Sequence, residues 1–210
     1  VLLITIDTLR ADRVGRGLTP AIDSVAARGV RFTNARATAP LTLPSPASIF
    51  TGARPPEHGV RVNGVALAVR PTLARSFQAA GYRTGAFVGA YVLDRRFGLS
   101  GGFDIYDDRV TRDPSGTARL EAERRGDLVA TSAIEWLGRA GTQPFFAWIH
   151  LYDPHAPYAP PPEFFSKAGS GYDGEVAFAD AQVRRVLDWL GGAGLTAATV
   201  VAMVSGLAPG

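Results

Sequence analysis

The sequence predicts an α/β fold in which a mostly parallel central sheet is flanked by helices. Short runs of apolar, β-branched and aromatic residues recur along the chain, and segments with helical patterning lie between them. Strands that alternate with helices imply parallel pairing through right-handed crossovers. The 210 residues, 46% of them hydrophobic, are enough for one sizeable core, so a single domain is expected over residues 1–210.

Each element is predicted from local patterning and boundary residues. Thr19 and Pro20 offer an N-cap followed by Pro at the first helical position, and Gly29 ends that helix. Residues 98–108 and 153–162 are expected to be loops, the second because of its prolines, and residues 111–125 a polar surface excursion. The expected strands are residues 1–6, 30–35, 84–92, 144–152 and 198–205, and the expected helices are residues 20–28, 71–80, 127–137 and 172–190, with another beginning near residue 45.

Composition excludes several classes of function. The chain has no Cys, which rules out disulfides and thiolate metal sites. The formal net charge is +3, and the arginines are spread along the chain, so no nucleic-acid partner is expected. No apolar run reaches the length of about 18 residues that a membrane-spanning helix needs, so no membrane span is expected.

Polar residues follow three of the expected strands. Asp7 follows the first strand, His155 follows the strand at 144–152, and Ser205 ends the last one. In open α/β sheets, functional sites gather beyond the carboxyl ends of the strands. We therefore expect Asp7 and His155 to converge there with Thr42, which precedes an expected helix.

Thr42 lies in the segment LTLPSPAS, where Pro44 presets entry into a helix. A helix that begins near Ser45 would aim free N–H groups and the positive end of its dipole at the loop. That arrangement favours an anionic ester and Thr42 as the nucleophile, although the hydroxyl would still need a metal or a base to lose its proton. Alternatively, Thr42 or Ser45 only caps the helix.

Asp7 and the three histidines have both structural and functional interpretations. A carboxylate after an apolar strand is costly unless it caps a turn or binds a divalent metal, and both remain open for Asp7. His155, in a rigid loop beyond a strand end, is the best placed for a ligand or general acid. His150 is expected to be a packed, hydrogen-bonded core residue, and His58 to orient the loop after the Thr42 helix.

Several long motifs resemble, in order and spacing, the sulfatase branch of the alkaline phosphatase superfamily. They are LLITIDTLRAD, TPAIDSVAARGVRFTNARA, TLPSPASIFTGARPPEHGV, TLARSFQAAGYRTGAFVGAYVLDRRFGLSGGFDIYDD and PFFAWIHLYDPHAPY, closed by TVVAMVS. The resemblance covers nearly the whole chain. It implies an alkaline-phosphatase-like α/β sandwich, here the N-terminal portion of a catalytic domain and incomplete at the C-terminus.

The resemblance also implies an activity and its partners. We expect a metal-dependent hydrolase or transferase of sulfuric or phosphoric esters, acting on a small-molecule, glycan or lipid ester. Calcium is the first choice of metal, with manganese or zinc as alternatives, and a periplasmic or extracellular location is favoured. The implied site residues are Thr42 and His155 for catalysis, His58 and Asn63 near the substrate, and Asp7 with Thr8 at the metal.

Thr42 itself departs from the family pattern. Sulfatases usually carry Cys or Ser at this position, which is oxidised to formylglycine, and threonine cannot give that aldehyde. The aldehyde hydrate supplies the second hydroxyl that expels sulfate from the covalent intermediate, so a threonine sulfate ester would lack that route. Threonine does act as nucleophile in phosphoryl-transfer branches of the superfamily. The residue therefore favours a phosphate mono- or diester.

Further departures leave a rival open. Pro46 stands where an arginine is usual, Thr8 replaces the second aspartate of the first strand, and a Lys-x-His element is absent after the strand at 84–92. At the end, Ser205 is followed by Gly206 and Leu207 instead of metal-binding Asp and His or Asn. The alternative is therefore a catalytically inactive fragment.

Overall fold

The computed structural model describes residues 1–110, 122–139, 141 and 143–205. Within that part, a five-stranded sheet has every neighbouring pair of strands parallel, which confirms the predicted α/β fold with a mostly parallel sheet. The strands are β1 (Leu2–Ile6), β2 (Arg83–Val88), β3 (Ile105–Asp107), β4 (Phe145–Leu151) and β5 (Val201–Ser205), in the spatial order β3-β2-β4-β1-β5.

Helices cover both faces of the sheet. They are α1 (Pro20–Arg28), α2 (Pro44–Thr51), α3 (Pro55–His58), α4 (Leu73–Ala79), α5 (Gly126–Gly138), α6 (Pro162–Ala168) and α7 (Gly171–Gly192). One core cluster joins α1, α5 and α7 to the sheet, and a second joins α2 and α4 to its opposite face. No described helix is long and apolar enough to cross a membrane.

Alternation along β1 decides which side chains meet α2. Leu2, Ile4 and Ile6 belong to the core beneath α5 and α7, whereas Leu3 belongs to the core beneath α2. Because side chains alternate between the faces of a strand, Thr5 shares the face of Leu3, and residue 7 continues that row beyond the strand end. Thr5 and Asp7 therefore face α2.

Several local predictions are confirmed within a few residues. The helix from Pro20 ends at Arg28, and the segment after Thr42 becomes helical at Pro44, one residue before Ser45. Thr19 does not bond the helix backbone through its side chain, since its hydroxyl donates to the Asp23 carboxylate 3.1 Å away.

Two predictions of structure were wrong, and one helix was not predicted. Residues 30–35 form a turn and irregular chain, because Val30 and Phe32 find nothing to bury against and are 79% and 80% exposed. The expected loop at 98–108 contains β3, whose three residues were too few to show a period. The helix α6 follows the proline-rich loop, which Pro162 ends by starting the first helical turn. Residues 111–121 of the predicted surface excursion at 111–125 lie outside the described part of the chain. Gly206 and Leu207 also lie outside it.

Candidate active site

The centre of the candidate site is a hydrogen bond between Thr42 and Asp7. The Thr42 Oγ1 hydroxyl donates to Asp7 Oδ2 over 2.7 Å, and only 4% of Thr42 and 1% of Asp7 is exposed. Asp7 stays in line with β1 because its N–H donates to the Leu151 carbonyl 2.9 Å away. The predicted convergence of Asp7 and Thr42, which lie 35 positions apart in the sequence, is confirmed.

The start of α2 differs from the predicted anion site. Pro44 and Pro46 have no N–H group, the Ser45 N–H donates to the Leu41 carbonyl over 3.1 Å, and the Ala47 N–H donates to Leu43 over 3.1 Å. The first turn therefore offers no free N–H donor among these four residues. The expectation that it cradles an anion through backbone donors was wrong, because two prolines remove the donors that the motif needs.

Asn63 holds the loop that carries Thr42. Its side-chain Oδ1 accepts the Leu43 N–H over 2.9 Å, next in sequence to Thr42. The bond ties the loop before α2 to the chain after α3. The structure gives Asn63 a backbone-positioning contact, and its predicted contact with substrate stays a prediction.

A second buried group, His150, faces the same space from β4. Its Nδ1 lies 2.8 Å from Thr5 Oγ1, which in turn accepts the Trp148 Nε1–H over 3.0 Å. Its Nε2 lies 3.8 Å from Asp7 Oδ2. His150 is buried and hydrogen-bonded in the core, as the sequence predicted, but its position beside the cavity was not predicted. The sequence does show that His150 lies two residues after Trp148 and so shares its face of the strand. It does not show that His150 pairs with Thr5 in the neighbouring strand, because that pairing joins distant segments.

These side chains enclose a small cavity of about 10 Å³. A space of this size holds one water molecule or one ion. Among the described residues, neither Asp7 Oδ1 nor His150 Nε2 has a hydrogen-bond partner, although both atoms are buried. The lining residues are Thr5, Asp7, Thr42, Ser45, Pro46, Ile49 and His150.

The cavity passes one test for a divalent metal and fails another. A buried carboxylate oxygen without a partner, beside a hydroxyl, is the donor type that a hard cation prefers. However, the described residues contain no group of three or more His, Asp and Glu side chains arranged to hold a metal. The described residues thus offer Asp7 as one carboxylate ligand and do not make up a complete metal site.

Burial sets the ionisation of both groups in the cavity. Burial raises the pKa of Asp7, while the Thr42 hydroxyl, the charge of His155 and the Thr8 backbone oppose the rise. Burial also lowers the pKa of His150 to about 3, so this imidazole is neutral at ordinary pH. The cavity therefore disfavours any charge that has no counter-ion.

His155 lies in the loop after β4, at the carboxyl end of the sheet. Its ring stacks on Tyr152 with 4.3 Å between ring centroids, and its Nδ1 is 2.7 Å from the Ala156 carbonyl. It is only partly buried, and its charge acts on the pKa of Asp7. His155 does not line the cavity, and it reaches Asp7 only through the effect of its charge on that pKa.

Thr8 and His58 both have protein partners. The Thr8 hydroxyl donates to the Pro154 carbonyl, at a left-handed φ of 51°. His58 accepts the Val60 N–H at Nδ1 over 3.1 Å, so its protonated Nε2 donates to Ser48 Oγ over 2.9 Å. His58 is buried between α2 and α3 and does not line the cavity. A metal role for Thr8 and a substrate role for His58 remain predictions.

Two further buried carboxyls hold the loop that carries His155. Asp153 Oδ1 accepts the Gly126 N–H, and Glu175 Oε1 accepts the Ala159 N–H, each over 2.8 Å. The second oxygen of each carboxyl is buried without a partner in the described part of the chain. Burial raises the pKa of Asp153 to about 6 and that of Glu175 to about 8.

Comparison with known proteins gives consistent similarities. A family model described as Sulfatase matches residues 1–206. The chain is 32% identical to an N-acetylglucosamine-6-O-sulfatase of Bacteroides thetaiotaomicron over 156 residues, which is 69% of this chain and 27% of that protein.

Solved structures share the fold at low identity. A phosphonate monoester hydrolase of Agrobacterium radiobacter superposes with a TM-score of 0.80 at 20% identity, over 99% of this chain and 62% of its own. A protein in complex with its substrate D-glucosamine-2-N,6-O-disulfate gives 0.80 at 18% identity, over 98% of this chain and 65% of its own. The chain thus spans less than two thirds of each of these three proteins.

Proposed function

This chain belongs to the sulfatase family, and on that premise we propose that it is part of a metal-dependent hydrolase or transferase of sulfuric or phosphoric esters. Thr42 is the proposed nucleophile. The single observation that carries the proposal is the 2.7 Å bond from Thr42 Oγ1 to Asp7 Oδ2 beside a small buried cavity. A capping threonine would bond its own helix backbone, whereas this hydroxyl bonds a carboxylate on another element.

In the proposed site, Asp7 would hold a divalent ion, and its buried Oδ1 has no hydrogen-bond partner among the described residues. Such an ion lowers the pKa of a bound hydroxyl and neutralises charge on the transferred group. Thr8 would have to give up its bond to Pro154 to become a ligand. Calcium, manganese and zinc all bind carboxylate oxygen, so Asp7 alone does not choose among them.

Each proton has an assigned place in the proposed reaction. As Thr42 Oγ1 attacks phosphorus or sulfur, the proton of its hydroxyl passes to Asp7 Oδ2, with which it is already hydrogen-bonded. The bond from phosphorus or sulfur to the leaving oxygen breaks, and His155 gives that oxygen a proton. Water then attacks the phosphorus or sulfur of the covalent intermediate and gives one proton to His155. The bond from phosphorus or sulfur to Thr42 Oγ1 breaks, and Asp7 Oδ2 returns its proton to Thr42.

We favour phosphorus over sulfur as the transferred centre. Threonine has one hydroxyl, so a sulfated Thr42 has no second hydroxyl on the same carbon to expel the sulfate. A phosphorylated Thr42 needs only in-line attack by water. The structural neighbour that hydrolyses phosphonate monoesters shares the fold, while the sequence relative is named for a sulfated sugar.

The remaining features of the proposal follow from the relatives. We infer that residues 1–210 form part of one catalytic domain and that the organic part of the substrate is a sugar or another small group. Location outside the cytoplasm is part of the same proposal. The rival, an inactive member of the family, is decided by the same experiment.

The test is hydrolysis of an aryl phosphate, an aryl phosphodiester and an aryl sulfate by the full chain with Ca²⁺, Mn²⁺ or Zn²⁺. We expect turnover of a phosphorus ester that Thr42→Ala abolishes and Thr42→Ser, which keeps a hydroxyl, partly retains. No turnover with any ester and metal would favour the inactive rival. Turnover unchanged in Thr42→Ala would remove Thr42 from the mechanism.

A further inference from the structure

We propose that Tyr172 and Thr8 form a hydrogen-bonded bridge, the loop bridge, between the loop after β1 and the loop after β4. The first loop follows Asp7, and the second carries His155. Tyr172 and Thr8 are then positioning residues, since neither needs to touch the substrate. The inference rests on the proposed function for the roles of Asp7 and His155. It goes beyond that function by giving a residue of α7 a part in the site and by giving Thr8 a role that needs no metal.

The loop bridge begins at the phenol of Tyr172, in the first turn of α7. Its hydroxyl donates to the Thr8 carbonyl over 2.8 Å and accepts the Arg10 N–H over 2.9 Å. One side-chain hydroxyl therefore holds two backbone groups of the loop after β1. The next residue of α7 adds a charged contact, because Asp173 Oδ1 accepts the Arg13 Nε–H over 2.7 Å. The start of α7 thus fixes the conformation of this loop.

Thr8 extends the loop bridge to the loop after β4. Its φ of 51° makes it the one non-glycine residue with positive φ in the described part of the chain. A β-branched residue is strained in that conformation, whereas glycine would adopt it freely. Glycine, however, could not make the bond that the Thr8 hydroxyl donates to the carbonyl of Pro154, the residue directly before His155. Strain of this kind persists only where surrounding contacts hold it, and it clusters at functional sites.

The start of α7 also contacts the far side of the loop that carries His155. Glu175 Oε1 accepts the Ala159 N–H over 2.8 Å. Gly174 allows a close approach, because a Cβ atom there would lie only 2.7 Å from Pro160 Cγ. Both loops are therefore anchored on one short stretch of α7. Loosening either anchor would change the spacing of the two loops.

The competing interpretation is that these bonds only stabilise the fold. In that case their loss should lower the free energy of unfolding, and the enzyme that remains folded should keep its kcat. If they position the two loops, the folded enzyme should lose kcat with little change in KM, because the lost interaction orients reacting groups. A misplacement of about 1 Å, even from a distant change, costs up to about a hundredfold in rate.

The kinetic experiment measures kcat and KM of the full chain with an aryl phosphate and Mn²⁺. Tyr172→Phe keeps the ring but removes both hydrogen bonds, and Thr8→Val keeps the β-branched shape but removes the hydroxyl. Each should lower kcat about ten- to hundredfold and change KM less than about twofold. Thr8→Ser, which keeps a hydroxyl, should restore most of the rate. The matched control is Tyr158→Phe, which should keep its kcat, because this 49% exposed ring only contacts Tyr172 edge-on at 5.4 Å.

Hydrogen exchange of the metal-free chain measures the loop bridge without turnover. The His155 N–H donates to the Tyr152 carbonyl over 2.9 Å, so a peptide covering residues 152–160 reports opening of its loop. Loss of one hydrogen bond changes an opening equilibrium by roughly two- to tenfold. That peptide should exchange faster by this factor in Thr8→Val and Tyr172→Phe, while exchange in β4 should be unchanged.

The outcomes separate this inference from the proposed function. Unchanged exchange in both variants would overturn the loop bridge. Faster exchange with unchanged kcat would make the bonds structural and overturn the positioning role, while the proposed function would stand. No turnover by the unmodified chain would overturn the proposed function and the positioning role, and exchange would still decide whether the loop bridge exists. Circular dichroism checks folding, and should Tyr172→Phe fail to fold, the comparison of Thr8→Val with Thr8→Ser decides.

Discussion

Asp7 and Asp180 are both almost fully buried aspartates, yet the protein surrounds them in opposite ways. Asp180, on α7, uses both oxygens to accept the Ala21 and Ile22 N–H groups at the start of α1, over 3.0 and 2.9 Å. Asp7 uses one oxygen for the Thr42 hydroxyl and leaves the other facing a cavity. Burial raises the pKa of both carboxyls.

The difference separates a structural carboxylate from a candidate functional one. Asp180 caps a helix and joins α7 to α1, so its hydrogen bonds are complete within the fold. One oxygen of Asp7 has no hydrogen-bond partner among the described residues, and Thr42 and His150 line the same cavity. An open oxygen alone does not decide, because Asp153 and Glu175 have one too. What sets Asp7 apart is the cavity with a hydroxyl and an imidazole around it.

The largest expected effect comes from Asp7→Asn. In the proposed mechanism it removes the charge that would hold the ion and the base that would take the Thr42 proton, so kcat/KM should fall at least about a thousandfold. The free energy of unfolding without metal should stay equal or rise, since a buried charge disappears. Activity assays and urea unfolding check both parts. A large loss of stability with modest loss of activity would make Asp7 a structural residue like Asp180.

Glu175→Gln tests a buried carboxyl that lies outside the cavity. The folded-state pKa of about 8 lies above the usual value, so the protonated form is the one that folding favours. Its stabilising contribution is complete below about pH 4.5 and is lost as pH rises through about 8. In Glu175→Gln the free energy of unfolding should therefore fall less between pH 5 and pH 9, by on the order of 2 kcal/mol. Urea unfolding at pH 5, 7 and 9 measures it, and an unchanged slope would contradict the prediction.

Asp180→Ala should lower stability and leave metal affinity unchanged, which is the opposite of what we expect for Asp7→Asn. Loss of the two bonds to the start of α1 should lower the free energy of unfolding by about 2 kcal/mol. Metal affinity should be unchanged, because Asp180 does not line the cavity. Thermal unfolding and zinc titration test it. A change in zinc affinity as large as that of Asp7→Asn would erase the distinction between the two aspartates.

The smallest expected effect is that of Ser48→Ala. It leaves the His58 Nε2–H without its acceptor and should cost about 1 kcal/mol of stability. If His58 only ties α2 to α3, KM should change less than about twofold, since the cavity is untouched. A raised KM with unchanged stability would instead support the predicted contact of His58 with substrate.

The sequence predicted those parts of the fold whose signals are local. Thr19, Pro20 and Gly29 bounded α1, and the aromatic run before His150 gave β4. The convergence of Asp7 with Thr42 came from the general rule about strand ends. Residues 30–35 failed because a β-like composition does not supply a partner strand.

The missed parts of the site depend on pairing between distant segments. His150 reaches the cavity because β4 pairs with β1 and sets it opposite Thr5, a register that no local pattern contains. The shortage of N–H donors at the start of α2 could have been predicted from the sequence, because Pro44 and Pro46 have no backbone N–H. The prediction relied on the positive end of the helix dipole and did not count the N–H groups that the two prolines remove.

The most direct test of the central claim is the identity of the residue modified during turnover. The full chain is mixed with zinc and an aryl phosphate, quenched in acid within one turnover, digested and analysed by tandem mass spectrometry. We predict a phosphoryl group on Thr42, absent from Asp7→Asn. A phosphoryl group on another residue, or turnover with Thr42 unmodified at every quench time, would contradict the account.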